Sequence, residues 1–255
     1  MEALSINSSA VINRPRLSTP PLLRRLLSNR SDFELHGVVS TKRAELESYI
    51  ADCFERVYDA KVMAFAPLLL ELRCLGSISG VAGIRMAGSE RLFLEQYLDA
   101  PIEEVASGVA GHAVSRLEIA ELGNLAALRP GACQLINVIL AEVLRKSGFR
   151  YASFAGTAQL EGIVRKQGFL VHTVTPADAG RLGSAAGQWG SYYETSPNVL
   201  LVDLDKTVES LYAQRLPAAL LEAYAETSQQ LSDTLSALNY LSMFEANTVN
   251  DSTAH

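Results

Sequence analysis

Cysteine, histidine and long apolar runs are scarce in this chain of 255 residues, and each scarcity closes off a class of function. The three cysteines, Cys53, Cys74 and Cys133, are too widely spaced for a disulfide framework or a zinc pattern, which fits a reducing compartment. The four histidines, His36, His112, His172 and His255, form no ligand-spaced pair, so no metal is expected. No apolar run approaches the ~20 residues needed to cross a bilayer. The N-terminal stretch lacks a signal-type apolar core, because Pro20-Pro21-Leu22-Leu23 is cut off by arginines; a cytoplasmic location is expected. A formal net charge of -6 argues against nucleic acid as a partner.

What is present is enough for a substantial core: 48% of the residues are hydrophobic. Residues 1–32 read as a flexible basic arm, with Arg14, Arg16, Arg24, Arg25 and Arg30 among Ser, Asn and Pro. Its character suits either a targeting segment or a loose terminus that touches a membrane or partner, and the sequence does not separate these. Residues 33–205 read as the folded domain, 206–245 as a helical extension and 246–255 as a frayed polar tail.

The domain is organised around residues 116–169. Leu117 to Leu125 reads as a strand carrying Glu118, Glu121 and Asn124 at polar positions. Arg129-Pro130-Gly131 breaks it, and Ala132 to Ser147 has helical spacing, with Leu135, Ile136, Ile139, Leu140, Val143 and Leu144 on one face. Gly148 ends that helix after Arg145 and Lys146, whose charges suit a helix C-terminus. A strand at Tyr151–Phe154, a short helix bearing Leu160, Ile163 and Val164, and a strand from Phe169 follow. Two successive crossovers imply a locally parallel sheet with its ligand loops at the carboxyl ends of the strands.

Upstream, Phe33–Val39 reads as a strand, and Ser40 is placed to cap a helix with apolar positions Leu46, Ile50, Phe54 and Val57. Cys53 beside them reads as a buried small apolar residue. Phe65–Leu75 and Ser79–Ala87 form a hairpin. The excursion from Gly88 holds a short helix or wide turn around Leu92–Leu98 and a further turn at 102–106; Arg91, Glu95 and Tyr97 are candidate substrate contacts there. Downstream, residues 177–188 read as a loop and Val199–Val202 as a strand. Trp189 with Tyr192 and Tyr193 makes a pocket wall, a core corner or a partner surface. Residues 205–244 read as helix interrupted at Pro217. Its stripes (Leu220, Leu221, Tyr224; then Leu231, Leu235, Leu238, Leu241) bury themselves either on the sheet or against a second copy, so a homodimer through these helices is one expectation.

The blocks LFLEQYLDAPIE (92–103), RLEIAELGNLA (116–126), RPG (129–131), GFRYASFAGTAQL (148–160) and WGSYYETSPNV (189–199) resemble the thermostable hemolysin family over about residues 35–205. The element order is also similar to the GCN5-related N-acetyltransferase (GNAT) fold and, within it, to acyl-homoserine-lactone synthases. This implies an α/β fold: a GNAT-like mixed central sheet flanked by helices, with extra C-terminal helices. The resemblance further implies an acyl group delivered as a thioester of coenzyme A or of a phosphopantetheine-bearing acyl carrier protein to a small amine or amino-acid-like acceptor.

On the fold's pattern, the phosphate turn corresponds to Arg129, Pro130, Gly131, Ala132, Cys133 and Gln134. It keeps a glycine and a helix start but does not match the usual Arg/Gln-x-x-Gly-x-Gly/Ala motif. That departure leaves room for the single phosphate of a carrier arm. Leu122, Gly123 and Asn124 are where the strand splays and where an amide would hold the thioester carbonyl. Glu121 is the first choice of catalytic base and Glu118 the second, on opposite faces of a regular strand unless a bulge intervenes. The structural alternative for Glu121 is an ion pair with Arg85 or Arg116. The helix at 158–166 lacks the tyrosine that often protonates the leaving thiolate, so Tyr192 or Tyr193 is expected to replace it, or else the thiolate leaves through water. Trp189 joins Arg91, Glu95 and Tyr97 as a substrate candidate. Two other readings stand beside acyl transfer: a membrane-active hemolysin-like protein, less favoured, and a catalytically degenerate binding module.

Overall fold

The computed structural model describes residues 31–129 and 131–252, with side chains through Tyr240. The basic arm up to Arg30, Pro130 and the Leu241 side chain therefore lie outside the described residues. In chain order the elements are β1 (Ser31–His36), α1 (Arg43–Tyr58), β2 (Leu68–Cys74), β3 (Ser77–Met86), α2 (Ile102–Ala110), β4 (Ile119–Ala126) and α3 (Ala132–Lys146). Then come β5 (Tyr151–Gly156), α4 (Ala158–Lys166), β6 (Val171–Pro176), β7 (Asn198–Asp203), α5 (Leu204–Ala213), α6 (Arg215–Ala223) and α7 (Ala225–Ser252).

Among the described residues, seven strands make one mixed sheet in the order β1-β2-β3-β4-β5-β7-β6. Two crossovers in a row do not give a parallel triplet here. β4 and β5 pair in parallel, but β7 inserts between β5 and β6 and runs antiparallel to both. Strand parity sorts the core, since alternate side chains face opposite sides. Leu68, Leu70, Ala82, Ile84, Ala152, Phe154, Leu200 and Val202 face α3, whose length is apolar against the sheet. Leu69 and Val81 face α1, packed with Leu46, Ile50 and Cys53. Tyr151, Val199 and Leu201 face the excursion after β3.

Local chemistry moves several boundaries. Helix α1 starts at Arg43 rather than behind a Ser40 cap; the Ser40 hydroxyl accepts from the Lys42 amide at 3.3 Å and meets His36 Nδ1 at 3.0 Å. Val57 is not part of the buried face of α1 but is 56% exposed. Residues 102–110 form helix α2 rather than a turn, with Ile102 and Ala106 buried and Gly111 closing it in the left-handed region. The 179–189 segment is not loop but 3-10 turns broken at Gly183. Pro217 sits inside the first turn of α6, where its missing N–H is tolerated, and the break comes before it at Gln214. Helices α5, α6 and α7 pack on α3 and bury Leu211, Leu220, Leu221, Leu231 and Leu235 there. Those residues are covered within one chain, with Leu238 partly buried beside them, and α7 continues to Ser252.

Candidate active site

β4 and β5 run together only through Ile119–Tyr151, Ala120–Ala152 and Glu121–Ser153. Beyond Glu121 each strand keeps its outer partner and loses its inner one. β4 stays on β3 through Leu122, Gly123 and Ala126, and β5 stays on β7 through Gly156. The cause lies in β4. Asn124 adopts φ 49°, and an extra residue enters β4 where β3 passes from Val81 to Gly83. Asn124 is fixed there by its side chain, which accepts from the Ala66 amide at 2.8 Å and donates to the Ala64 carbonyl at 3.2 Å.

A cavity of about 330 Å³ occupies the gap and crosses the plane of the sheet. On one face it is lined by Phe54 and Tyr58 of α1, Phe93, Tyr97 and Trp189. On the other it runs under the sheet between α3 and α4, past Leu140, Ala141, Leu144, Ala152 and Ile163. The α3 lining residues Cys133, Asn137, Leu140, Ala141 and Leu144 form one helical stripe.

Glu121 stands at the crossing, 6% exposed. Its two oxygens accept the Phe93 amide at 2.7 Å and the Leu94 amide at 2.9 Å, and Arg85 Nε lies 3.6 Å away. Burial outweighs these stabilising neighbours and pushes its carboxyl up to about 7. Glu118 lies elsewhere, in a 3-10 turn ahead of β4, so strand parity does not apply to it. Its carboxylate accepts from the Ser115 amide at 2.8 Å and faces Arg150, outside the cavity lining.

The excursion that roofs the site is held by Arg116, which grips Glu95 at 2.6 and 2.8 Å and Glu103 at 2.7 Å. Glu95 also accepts from the Leu92 and Ile102 amides at 2.8 and 3.1 Å. These partners overcome its burial and hold its carboxyl down at about 2. Glu95 is therefore the roof's anchor, with no oxygen turned to the cavity. Arg116 is committed to Glu95 and Glu103, which leaves Arg85 as the ion partner of Glu121.

Of the other candidates, Tyr97, Trp189, Tyr192 and Tyr193 all line the cavity, whereas Arg91 is exposed and outside it. Tyr97 and Tyr193 share a hydroxyl–hydroxyl bond, and Tyr192 donates to the Ala155 carbonyl at 3.1 Å. Burial raises all three phenols, so each stays protonated. Leu122, Gly123, Asn124 and Cys133 line the cavity. Among the turn residues, Arg129 and Gln134 are exposed, Ala132 is buried and Gly131 starts α3 with φ 84°; none of these four lines it. Burial raises the Cys133 thiol, against the lowering that a helix start favours.

Sequence reasoning missed Phe54, Tyr58 and Phe93. The spacing of Phe54 and Tyr58 at the exposed end of α1 was the available signal. Away from the cavity, Glu34, His36 and Glu71 bring ligand-type atoms within 4.8 Å of one another. Lys42 and Arg73 already pair with the two carboxylates, so that group is read as an ion network joining β1 to β2.

One glycine brings the aromatic wall into place. Gly190 has φ 51° and ψ -130°, and a Cβ there would lie 2.0 Å from the Tyr58 carbonyl oxygen. This contact seats Trp189 and Tyr192 against the end of α1, where Ser191 N meets Tyr58 O at 2.8 Å. Gly190→Ala is expected to cost about 2 kcal/mol or more and to change tryptophan emission, read by thermal melts and fluorescence. An unchanged melt would contradict this seating.

The profile of the family described as thermostable hemolysin matches residues 37–208 of the chain. The chain belongs to this family. No curated protein compared with this family member matched it in sequence. Among solved structures, that of the AHL synthase LasI is similar, with TM-score 0.51 and 15% identity over 72% of this chain and 96% of that one. FeeM, an N-acyl amino acid synthase from uncultured soil microbes, gives TM-score 0.49 at 13% identity over 74% and 98%. BjaI, a CoA-dependent acyl-homoserine lactone synthase, gives 0.45 at 14% over 72% and 90%. At 15% identity the likeness to LasI is one of fold alone. Among the described residues of this family member, no helix is long and apolar enough to cross a membrane.

Proposed function

We propose that the protein is an acyltransferase that moves an acyl group from a thioester donor to an amine. The observation that carries the reading is the cavity crossing the sheet where β4 and β5 part, with a buried carboxylate of near-neutral affinity at the crossing. The fold shared with LasI, an AHL synthase, is consistent with it. In this reading the pantetheine arm of coenzyme A or of a carrier protein lies between the unpaired edges of β4 and β5. An acceptor that binds as ammonium first releases one proton to water; the neutral nitrogen then attacks the thioester carbonyl and gives its next proton to Glu121. The C–N bond forms, the C–S bond breaks, and the proton passes from Glu121 to the leaving thiolate, giving an amide and a free thiol. Tyr193, supported by Tyr97, donates a hydrogen bond to developing negative charge; Tyr192 is already engaged on Ala155.

The apolar limb between α3 and α4 takes the acyl chain, and its length favours chains longer than acetyl. Ala141, small and 3% exposed, lines that limb. Ala141→Leu is expected to shift the ratio of long-chain to short-chain kcat/KM by about tenfold or more toward short donors. Equal loss for all donors would mean that the limb does not hold the chain.

The function is tested by following thioester consumption and amide formation across acyl-CoA and acyl-carrier donors with a panel of amines. Saturable amide formation supports it. Liposome leakage without thioester turnover would favour the membrane-active reading instead.

A further inference from the structure

The mouth of the cavity narrows the class of acceptor. Aromatic rings converge there from three separate stretches of chain. Trp189 lies at their centre, 5.7 Å from Phe93, 6.2 Å from Tyr193 and 6.2 Å from Phe54 between ring centroids. Tyr58 joins through Tyr192, with centroids 5.2 Å apart. Phe54, Tyr58, Phe93, Trp189 and Tyr193 are only partly buried and present ring surface to the cavity.

Charge is sparse on the same walls. Among the described residues lining the cavity, Arg85 is the only cation and Glu121 the only anion. The Arg85 guanidinium is shared between two acids, Glu90 at 3.2 Å and Glu121 at 3.6 Å. An acceptor carrying its own carboxylate would bring a further anion beside Glu121, to an arginine already occupied, inside a desolvated site. A protonated amine meets the opposite situation: the negative faces of the rings and the Glu121 carboxylate both attract it.

We infer that the acceptor is a primary amine on a flat aromatic or apolar body with no carboxylate of its own, an arylalkylamine rather than an α-amino acid. The ring lies among Trp189, Phe93 and Tyr58, and the nitrogen lies at Glu121. The role as acceptor rests on the acyl-transfer reading; the binding does not.

The chain supplies its own probe, because Trp189 is its single tryptophan. The full-length protein is titrated, above neutral pH and without any thioester, with phenethylamine, with phenylalanine and with the uncharged 2-phenylethanol. Phenethylamine is expected to change the tryptophan emission saturably and to bind about tenfold tighter than either of the others. Phe93→Leu, which keeps apolar volume and removes the ring, is expected to weaken the amine more than 2-phenylethanol, because both lose the ring contact but only the amine loses the attraction of its charge to the ring face. Glu121→Gln is expected to erase the preference for amine over alcohol, and a melt shows whether that variant is folded. Phenylalanine or 2-phenylethanol binding as well as the amine in the parent protein would overturn the inference. If phenethylamine binds but no donor is consumed, the acyl-transfer reading fails while this site stands. If amide forms preferentially on α-amino acids, the transfer reading stands and this inference falls.

Discussion

Glu121→Gln is expected to lower kcat/KM for acyl transfer by about 10²–10⁴-fold, the range a positioned base supplies. Only the ionised carboxylate accepts the amine's proton, so the parent rate should climb as pH rises through about 7. The variant should lack that limb. Its amide NH2 cannot accept from Phe93 or Leu94, so a stability loss of about 1–3 kcal/mol is expected alongside. The pH profile separates the two effects, because a merely structural role lowers the rate without removing the limb. Linkage gives an independent check. The folded carboxyl is raised from 4.5 to about 7, so Glu121's contribution to stability is full below about 4.5 and is lost as pH rises through about 7. The variant should lack that component of the pH dependence. A variant with parental kcat/KM would remove Glu121 from the mechanism.

The second large effect comes from filling the gap without disturbing the fold. A Cβ built on Gly123 meets nothing within 4 Å, and Gly123 lines the cavity where β4 leaves β5. Gly123→Leu therefore places a side chain in open space. Removing a strand glycine should raise stability by roughly 0.5–1 kcal/mol or leave it unchanged. Transfer should fall by about 10²-fold or more, since a displacement of the order of an ångström at the reacting centre already costs that much. Thermal melts and steady-state kinetics on the same sample test both halves. A stable variant with undiminished transfer would show that the donor does not pass between the strands.

Much of this arrangement was legible because it is local. The apolar face of α3, the glycine that ends it and the glycine that follows Glu121 are all encoded within a few turns of chain, and β4 and β5 fall where their apolar runs lie. What could not be read depends on pairing between distant segments. β7 inserts between β5 and β6 although both crossovers have the right spacing, and no property of residues 169–203 taken alone announces it. Glu118 looked like a strand residue because Leu117 and Ile119 flank it. The Ser115 hydroxyl turns that stretch into a capped 3-10 turn, and its side chain accepts from the Leu117 amide at 3.3 Å. Glu95 read as a substrate contact because it lies in a polar excursion. Its partner Arg116 is 21 residues away, and only folding brings them together. The aromatic mouth was half visible: Trp189, Tyr192 and Tyr193 stood out as a cluster, whereas Phe54 and Tyr58 looked like the end of an ordinary helix face.

The central claim is that the donor's thioester arm lies between the parted ends of β4 and β5. Amide hydrogen exchange of the parent protein, with and without an acyl-pantetheine whose thioester sulfur is replaced by methylene, tests it most directly, because this arm is common to coenzyme A and carrier-protein donors. The account predicts slowed exchange on both facing edges, residues 122–125 and 154–156, and no such slowing in Gly123→Leu. Protection confined to other segments, or equal protection in the variant, would contradict it.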